Sequence, residues 1–203
     1  MTLLKRPQIS VLMAAHDAED YISHAIESVL NQRNISFELV IVDDGSSDST
    51  NEIISSFVKV FNNIKHVRLE RNVGLTKALN IGLGECKGKY IARLDTDDIC
   101  ENGRLEYQYN YLEQNEDVVL VGTSANRLSE NGNNIAKYHP YEITHDKIVD
   151  RLLNFESFCP HSSWFATSKV FRELKGYNEN RVSSQDLDFL LRLIELNQGK
   201  LAY

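Results

Sequence analysis

The chain has 203 residues, 42% hydrophobic and 25% charged, with 22 Lys and Arg against 29 Asp and Glu for a net charge of -7. This length buries a real core without disulfides or a structural metal, and the acidic balance argues against a protein that grips a nucleic-acid backbone. Three scattered cysteines, no apolar run near the roughly 20 residues of a membrane span, and residues 1–7 too short and polar for a signal peptide lead us to expect a soluble, cytoplasmic protein.

From residue 9 to about residue 122, strand and helix patterns alternate. Residues 9–15 are an apolar run with the bulk of a buried strand, and Ile22, Ala25, Ile26, Val29 and Leu30 then recur at helical spacing. Residues 37–42 predict a second strand ending in Asp43-Asp44-Gly45. Ser49-Thr50-Asn51-Glu52 has the form of a capping box before Ile53, Ile54, Phe57, Val58 and Phe61. A third strand is expected at 67–69, a helix at 76–83, a fourth strand at 90–94 running into Asp95, a helix at about 104–114 and a strand at 118–122. After Gly122 the pattern changes. Asn131-Gly132 centres a hairpin over 128–138, a helix follows near 145–153, a strand near 163–167, and a helix over 185–196 opens with Asp186 and Asp188. The fold class is α/β, with a mostly parallel, doubly wound central sheet flanked by helices. A smaller α+β portion over about 123–203 packs on that sheet, within one domain.

Ligands in such sheets bind at the carboxyl ends of strands, and three polar clusters fall there: Ala15-His16-Asp17, Asp43-Asp44-Gly45 and Asp95-Thr96-Asp97-Asp98. Alternate residues of an extended chain point the same way, so Asp95 and Asp97 could share one hard cation that keeps positions open for phosphate oxygens. A solvated acidic turn explains the same residues in isolation. An Asp in the 43–48 segment could accept from a uracil imide or a ribose hydroxyl, and turn-plus-cap chemistry also fits it. Acids at a helix start, as at Asp186 and Asp188, are favoured by the helix dipole alone. His161 suits a satisfied core position as well as a ligand position.

Taken in order, these segments resemble glycosyltransferase family 2. The family's opening strand and turn correspond to residues 9–17, its S-x-x-x-Q to Ser28 and Gln32, and its V-D-D-G-S-x-D to residues 42–48. N-x-G-L and A-L-N match at Asn72, Gly74, Leu75, Ala78, Leu79 and Asn80, and G-x-Y-I-A-R-L-D-x-D-D at residues 88–98. H-S-S matches at residues 161–163, Gly-Tyr at 176–177 and D-x-D at Asp186 and Asp188. The resemblance covers nearly the whole chain.

It implies a GT-A, Rossmann-like fold and an inverting, metal-dependent transferase. The donor would be a UDP-sugar, the cofactor Mn2+ or Mg2+, and the acceptor a glycan or lipid-linked hydroxyl, in assembly of a bacterial surface polysaccharide, lipopolysaccharide or glycan. Residues of about 8–122 would hold the donor and the rest the acceptor. Asp44 would contact the uracil imide with Asp43 in support, and Ala15 and His16 would line the base pocket. Asn72, Gly74, Lys77 and Thr96 would complete the nucleotide side. Asp95 would reach the ribose or the metal, and Asp97 would hold the metal on the diphosphate. Asp186 would be the general base, with Asp98, Arg93, His161 and Asp188 in support. His16-Asp17 departs from the family's Tyr-Asn, and Asn102-Gly103 stands where Pro is common. No span and no Q-x-x-R-W motif suggests a processive synthase, and the acceptor side would be cut short at Tyr203. Peripheral attachment to the inner face of a membrane stays open. A nucleotidyltransferase is disfavoured, because residues 14–21 hold no basic Gly-rich loop. A nucleotide-sugar-binding module without turnover is the remaining alternative.

Overall fold

The computed structural model describes residues 7–129, 134–138, 144–181 and 183–203. The central sheet has seven strands: β1 (Ile9–Ala15), β2 (Phe37–Asp43), β3 (Ile64–Arg68), β4 (Tyr90–Arg93), β5 (Val118–Val121), β8 (Phe165–Thr167) and β9 (Lys200–Ala202). Their order is β3-β2-β1-β4-β8-β5-β9. β1 pairs in parallel with both β2 and β4, and β2 with β3. β8 enters antiparallel between β4 and β5, so the sheet is mostly parallel, as expected, with one antiparallel strand inside it. β6 (Ala125–Leu128) and β7 (Asn134–Tyr138) form the expected antiparallel hairpin, whose Asn131-Gly132 turn lies outside the described residues.

Alternation along the strands feeds two cores. Ile9, Val11, Met13 and Ala15 of β1 point to one face, where they meet α1 (Ile22–Leu30), α2 (Thr50–Val58) and α4 (Arg104–Gln114). Leu12 points to the other face, with α3 (Leu75–Glu85), α5 (His145–Leu153), α6 (Ser168–Glu173) and α7 (Gln185–Leu196). An aromatic cluster of Trp164, Phe171, Tyr177 and Phe189 fills the second face, with neighbouring ring centroids 4.9–6.1 Å apart.

Four local expectations are corrected. β3 starts at Ile64 rather than 67, and the short elements α6 and β9 were not foreseen. The capping box at 49–52 is not used, because Ser49 makes no side-chain cap bond. The Thr50 N–H instead donates to Asp48 Oδ1 at 3.0 Å, which leaves the Ser49 N–H to Glu19 Oε2 at 2.8 Å.

Candidate active site

The crevice forms where β1 lies between β2 and β4, since the connections leave to opposite faces there. The loops after β1 and β2 are zipped together. The Asp44 N–H donates to the Ala15 carbonyl at 2.8 Å. His16 Nδ1–H donates to the Asp44 carbonyl at 3.0 Å, which fixes its tautomer, and its ring stays exposed. Asp17, at φ 46, accepts the Ser47 N–H at 2.7 Å, and that bond leads the causes holding its carboxyl below the ordinary value.

Asp43 and Asp44 are both buried, at 0% and 3% exposure. Asp43 Oδ1 accepts the Ser46 N–H at 2.9 Å, which shapes the turn, while Oδ2 has no hydrogen bond to a described residue and lies 3.9 Å from Arg68 Nε. Asp44 reaches across to the loop that precedes α3. Its Oδ1 accepts the Val73 N–H at 2.7 Å and its Oδ2 the Gly74 N–H at 2.9 Å. The carboxylate therefore anchors the loop, and a ligand donor would have to use a second lone pair. Gly45, at φ +67, lets that loop close: a Cβ there would sit 2.4 Å from the Arg71 carbonyl carbon. Asn72, in that loop, and Lys77, in the first turn of α3, are both exposed.

At the end of β4, Arg93 is 0% exposed. Its Nη1 donates to the Leu12 and Leu94 carbonyls, each at 3.0 Å, and its Nη2 to Asp95 Oδ1. Asp95 and Thr96 are half-buried and Asp97 is exposed. Burial pushes the Asp98 carboxyl above its ordinary value; the charges of Asp95 and Asp97 add to this, and the Ser162 hydrogen bond opposes it. The exit of this segment is clamped from α1. Cys100 N–H donates to Ser28 Oγ at 2.9 Å, and the buried Gln32 amide donates to the Cys100 and Glu101 carbonyls at 3.1 and 2.9 Å. Two carboxylates with hard oxygens suit Mg2+ or Mn2+, which leave positions for water and phosphate oxygens. Among the described residues, no group of three His, Cys, Asp or Glu side chains could hold an ion alone. The donor set thus fits a cation held jointly with a diphosphate.

The other wall comes from the second portion. His161 stands in a 3-10 turn, His161–Ser163, with its Nε2 2.8 Å from Tyr177 Oη and 3.4 Å from Arg93 Nε. Burial, with Arg93 beside it, holds the imidazole neutral, well below the ordinary histidine value. Burial likewise pushes the Tyr177 phenol up, with Asp95 and Asp186 both near enough to add to the effect. Asp186, half-buried in the first turn of α7, has no hydrogen bond to a described residue. Asp188 is fully engaged: its Oδ1 accepts Arg181 Nε at 3.2 Å and its Oδ2 Arg192 Nε at 2.8 Å. Burial alone would raise the Asp188 carboxyl, and the hydrogen bond and charge of Arg192 outweigh it. A groove of about 330 Å³ between α5 and the end of α7 contains none of these residues.

The sequence profile described as "Glycosyl transferase family 2" matches residues 10–175. The chain belongs to glycosyltransferase family 2. It is 34% identical over 197 residues to the O-antigen biosynthesis glycosyltransferase WbnJ of Escherichia coli, covering 96% of this chain and 74% of that protein. The structure superposes on Staphylococcus aureus TarS 1-349 in complex with UDP-GlcNAc at a TM-score of 0.74 and 22% identity, over 96% of this chain and 55% of that one. It also superposes on the mannosyltransferase PcManGT of Pyrobaculum calidifontis in complex with GDP-Man and Mn2+, at a TM-score of 0.72 and 16% identity, over 98% and 55%. These two likenesses establish a shared fold. The chain spans 66%, 59% and 74% of the length of three curated relatives it matches, and as little as 20% of a longer one.

Within the family 2 fold, the matched motifs acquire physical roles the sequence did not assign. Ser28 and Gln32 clamp the exit of the Asp95–Asp98 segment. Asn80 locks the 176–179 turn: its Oδ1 accepts the Tyr177 N–H at 2.8 Å, and its Nδ2 donates to the Tyr177 carbonyl at 2.9 Å. Outside these motifs, Arg104 Nη2 donates to the Arg93 carbonyl at 2.9 Å. The signals were present as motif letters, but a letter does not say which backbone group it will meet.

Proposed function

We propose that this chain is an inverting, metal-dependent glycosyltransferase that moves a sugar from a UDP-sugar to an acceptor hydroxyl in bacterial surface polysaccharide synthesis. The observation that carries this reading is that buried Asp43 and Asp44 follow β2 and the Asp95–Asp97 pair follows β4, the two strands flanking β1, while Asp186, with no hydrogen bond to a described residue, lies near the same Tyr177 as Asp95. The polysaccharide context draws on WbnJ, named for O-antigen biosynthesis. The donor draws on TarS, solved with UDP and with UDP-GlcNAc.

In this reading the loops of residues 15–17 and 43–46, with Asn72, Gly74 and Lys77, receive the nucleoside. Asp95 and Asp97 hold Mn2+ or Mg2+, which when bound neutralises charge developing on the diphosphate. Asp186 takes the proton of the acceptor hydroxyl, whose oxygen bonds to the anomeric carbon as the bond to the diphosphate oxygen breaks. UDP leaves, the proton stays on Asp186, and the single displacement inverts the anomeric centre. Asp186 suits this role because no described arginine occupies it, whereas Asp188 is held by two. The two portions act as one unit, since β8 of the second lies inside the sheet of the first.

Calorimetric titration with UDP, dTDP, GDP and CDP, each with and without Mn2+, tests the donor side. Mn2+-dependent UDP binding near micromolar, about -8 kcal/mol at 1 μM, is expected, with CDP and GDP weaker. Asp186→Asn should abolish transfer and leave UDP affinity unchanged. No nucleotide binding by a folded sample, or an affinity loss in Asp186→Asn as large as in Asp97→Asn, would overturn the assignment.

A further inference from the structure

Asp95 stands on a buried support that extends across the molecule. The guanidinium of Arg93 is fully enclosed, yet its one charged partner among the described residues is Asp95, whose side chain is 36% exposed. Its other donors go to neutral acceptors: the Leu12 carbonyl of β1, the Leu94 carbonyl and His161 Nε2. Burying a charge in this way costs stability, and an apolar side chain of similar volume would pack without that cost. The residue is therefore better explained by what it holds than by what it stabilises. It fixes Asp95 through Oδ1 and leaves Oδ2 without a hydrogen bond to a described residue. His161 extends the chain of contacts to Tyr177 Oη, whose backbone Asn80 pins to α3. His161 also packs edge-on against Trp164, with ring centroids 4.5 Å apart.

We propose that Arg93 is a positioning residue for the donor site, braced by His161 and Tyr177, which aims the free oxygen of Asp95 at the cation and diphosphate. This rests on the reading of Asp95 and Asp97 given above. A carboxylate held in one rotamer before the cation arrives loses less freedom on binding it, which is how supporting hydrogen bonds raise metal affinity. A lysine at 93 keeps the charge, but one ammonium cannot span four acceptors that need a planar fork. The same brace carries acceptor-side residues against the donor-side carboxylate, so a change at Tyr177 should be felt at the cation.

The test is the ratio of UDP affinities with and without Mn2+, measured by calorimetry on the full chain for wild type, Arg93→Lys and Tyr177→Phe. A purely structural defect lowers both affinities together and leaves the ratio alone. Arg93→Lys should lower the ratio by about tenfold or more, the range for lost supporting partners of metal ligands. Tyr177→Phe, which removes one hydroxyl and conserves volume, should lower it severalfold, and it keeps the proposal testable if Arg93→Lys does not fold. If wild-type UDP binding is indifferent to Mn2+, the metal reading and the role of Arg93 both fall. If wild-type binding depends on Mn2+ and the folded variants keep its ratio, the role of Arg93 alone is overturned.

Discussion

Replacing Gly45 by alanine gives the sharpest test of how the nucleotide-side loops are built. The added Cβ would lie 2.4 Å from Arg71 C, 2.6 Å from Asn72 N and 2.7 Å from Arg71 Cα, all backbone atoms that no rotamer change can move aside. The residue also stands at φ +67, where a side chain costs about 1–2 kcal/mol. Displacing packed backbone adds about 1–3 kcal/mol, so the expected loss is roughly 2–5 kcal/mol out of a typical 5–15. Gly103, at φ +81 with nothing within 4 Å of its would-be Cβ, is the control that carries the conformational cost alone. Urea unfolding of both variants separates the two contributions. UDP titration adds a second readout, because the clash drives residues 71–74 away from the Asp44 carboxylate that holds them. Equal destabilisation of Gly45→Ala and Gly103→Ala would refute the reasoning, since the 71–72 backbone would then not be seated on Gly45.

Gln32→Ala removes three hydrogen bonds to a buried turn, at Cys100, Glu101 and Leu105, and should cost about 2–3 kcal/mol in chemical denaturation; it should also weaken Mn2+-dependent UDP binding by loosening the exit of the Asp95–Asp98 segment. Asp44→Asn keeps the shape of the side chain but turns an amide donor towards one of the two loop N–H groups, so about 2–3 kcal/mol of stability and much of the nucleotide affinity should go together; full retention of both would mean that the loop needs no anchor. The folded-state pKa of Asp188 is depressed, so its contribution is complete above the ordinary carboxylate value of about 4 and is lost as pH falls through the lower folded value. Urea midpoints between pH 3 and 6 should therefore fall less steeply in Asp188→Asn than in wild type, and parallel curves would contradict the pairing with Arg192.

Much of the fold was legible because the first portion obeys simple periodicities. Apolar runs of strand length alternate with i, i+3, i+4 faces, and α4, α5 and α7 lie where their spacing put them. Strands β8 and β9 were harder for a physical reason. Three residues carry no usable period, and their places in the sheet come from tertiary pairing with β4 and β5. The capping box failed for a similar reason. Asp48 already faces the Thr50 N–H and the Glu19 N–H, so the local Ser–Glu pattern lost to a contact between two loops.

At the site, residue types were easier to read than partners. The acidic clusters at strand ends stood out, yet residue type and position alone did not separate Asp186 from Asp188, two positions apart in the same turn; only the family resemblance made Asp186 the base and Asp188 its support. The structure separates them by their neighbours, since Arg181 and Arg192 both come to Asp188 and no described arginine comes to Asp186. Arg93 illustrates the converse. In the run Tyr90-Ile91-Ala92-Arg93 it reads as the charged end of a strand, and in the fold it is the most enclosed cation of the site. What encloses it is β8, whose preceding residue Trp164 accepts the Arg93 N–H at 2.8 Å. An antiparallel strand contributed from more than 70 positions later thus turns an exposed strand end into a buried one. The Asp95–Asp97 pair therefore projects from a backbone held by β1 on one side and β8 on the other, with Ser28 and Gln32 fixing its exit. Under the function proposed above, a cation bound only together with a diphosphate would need that rigidity, because two carboxylates alone offer too few ligands to organise it.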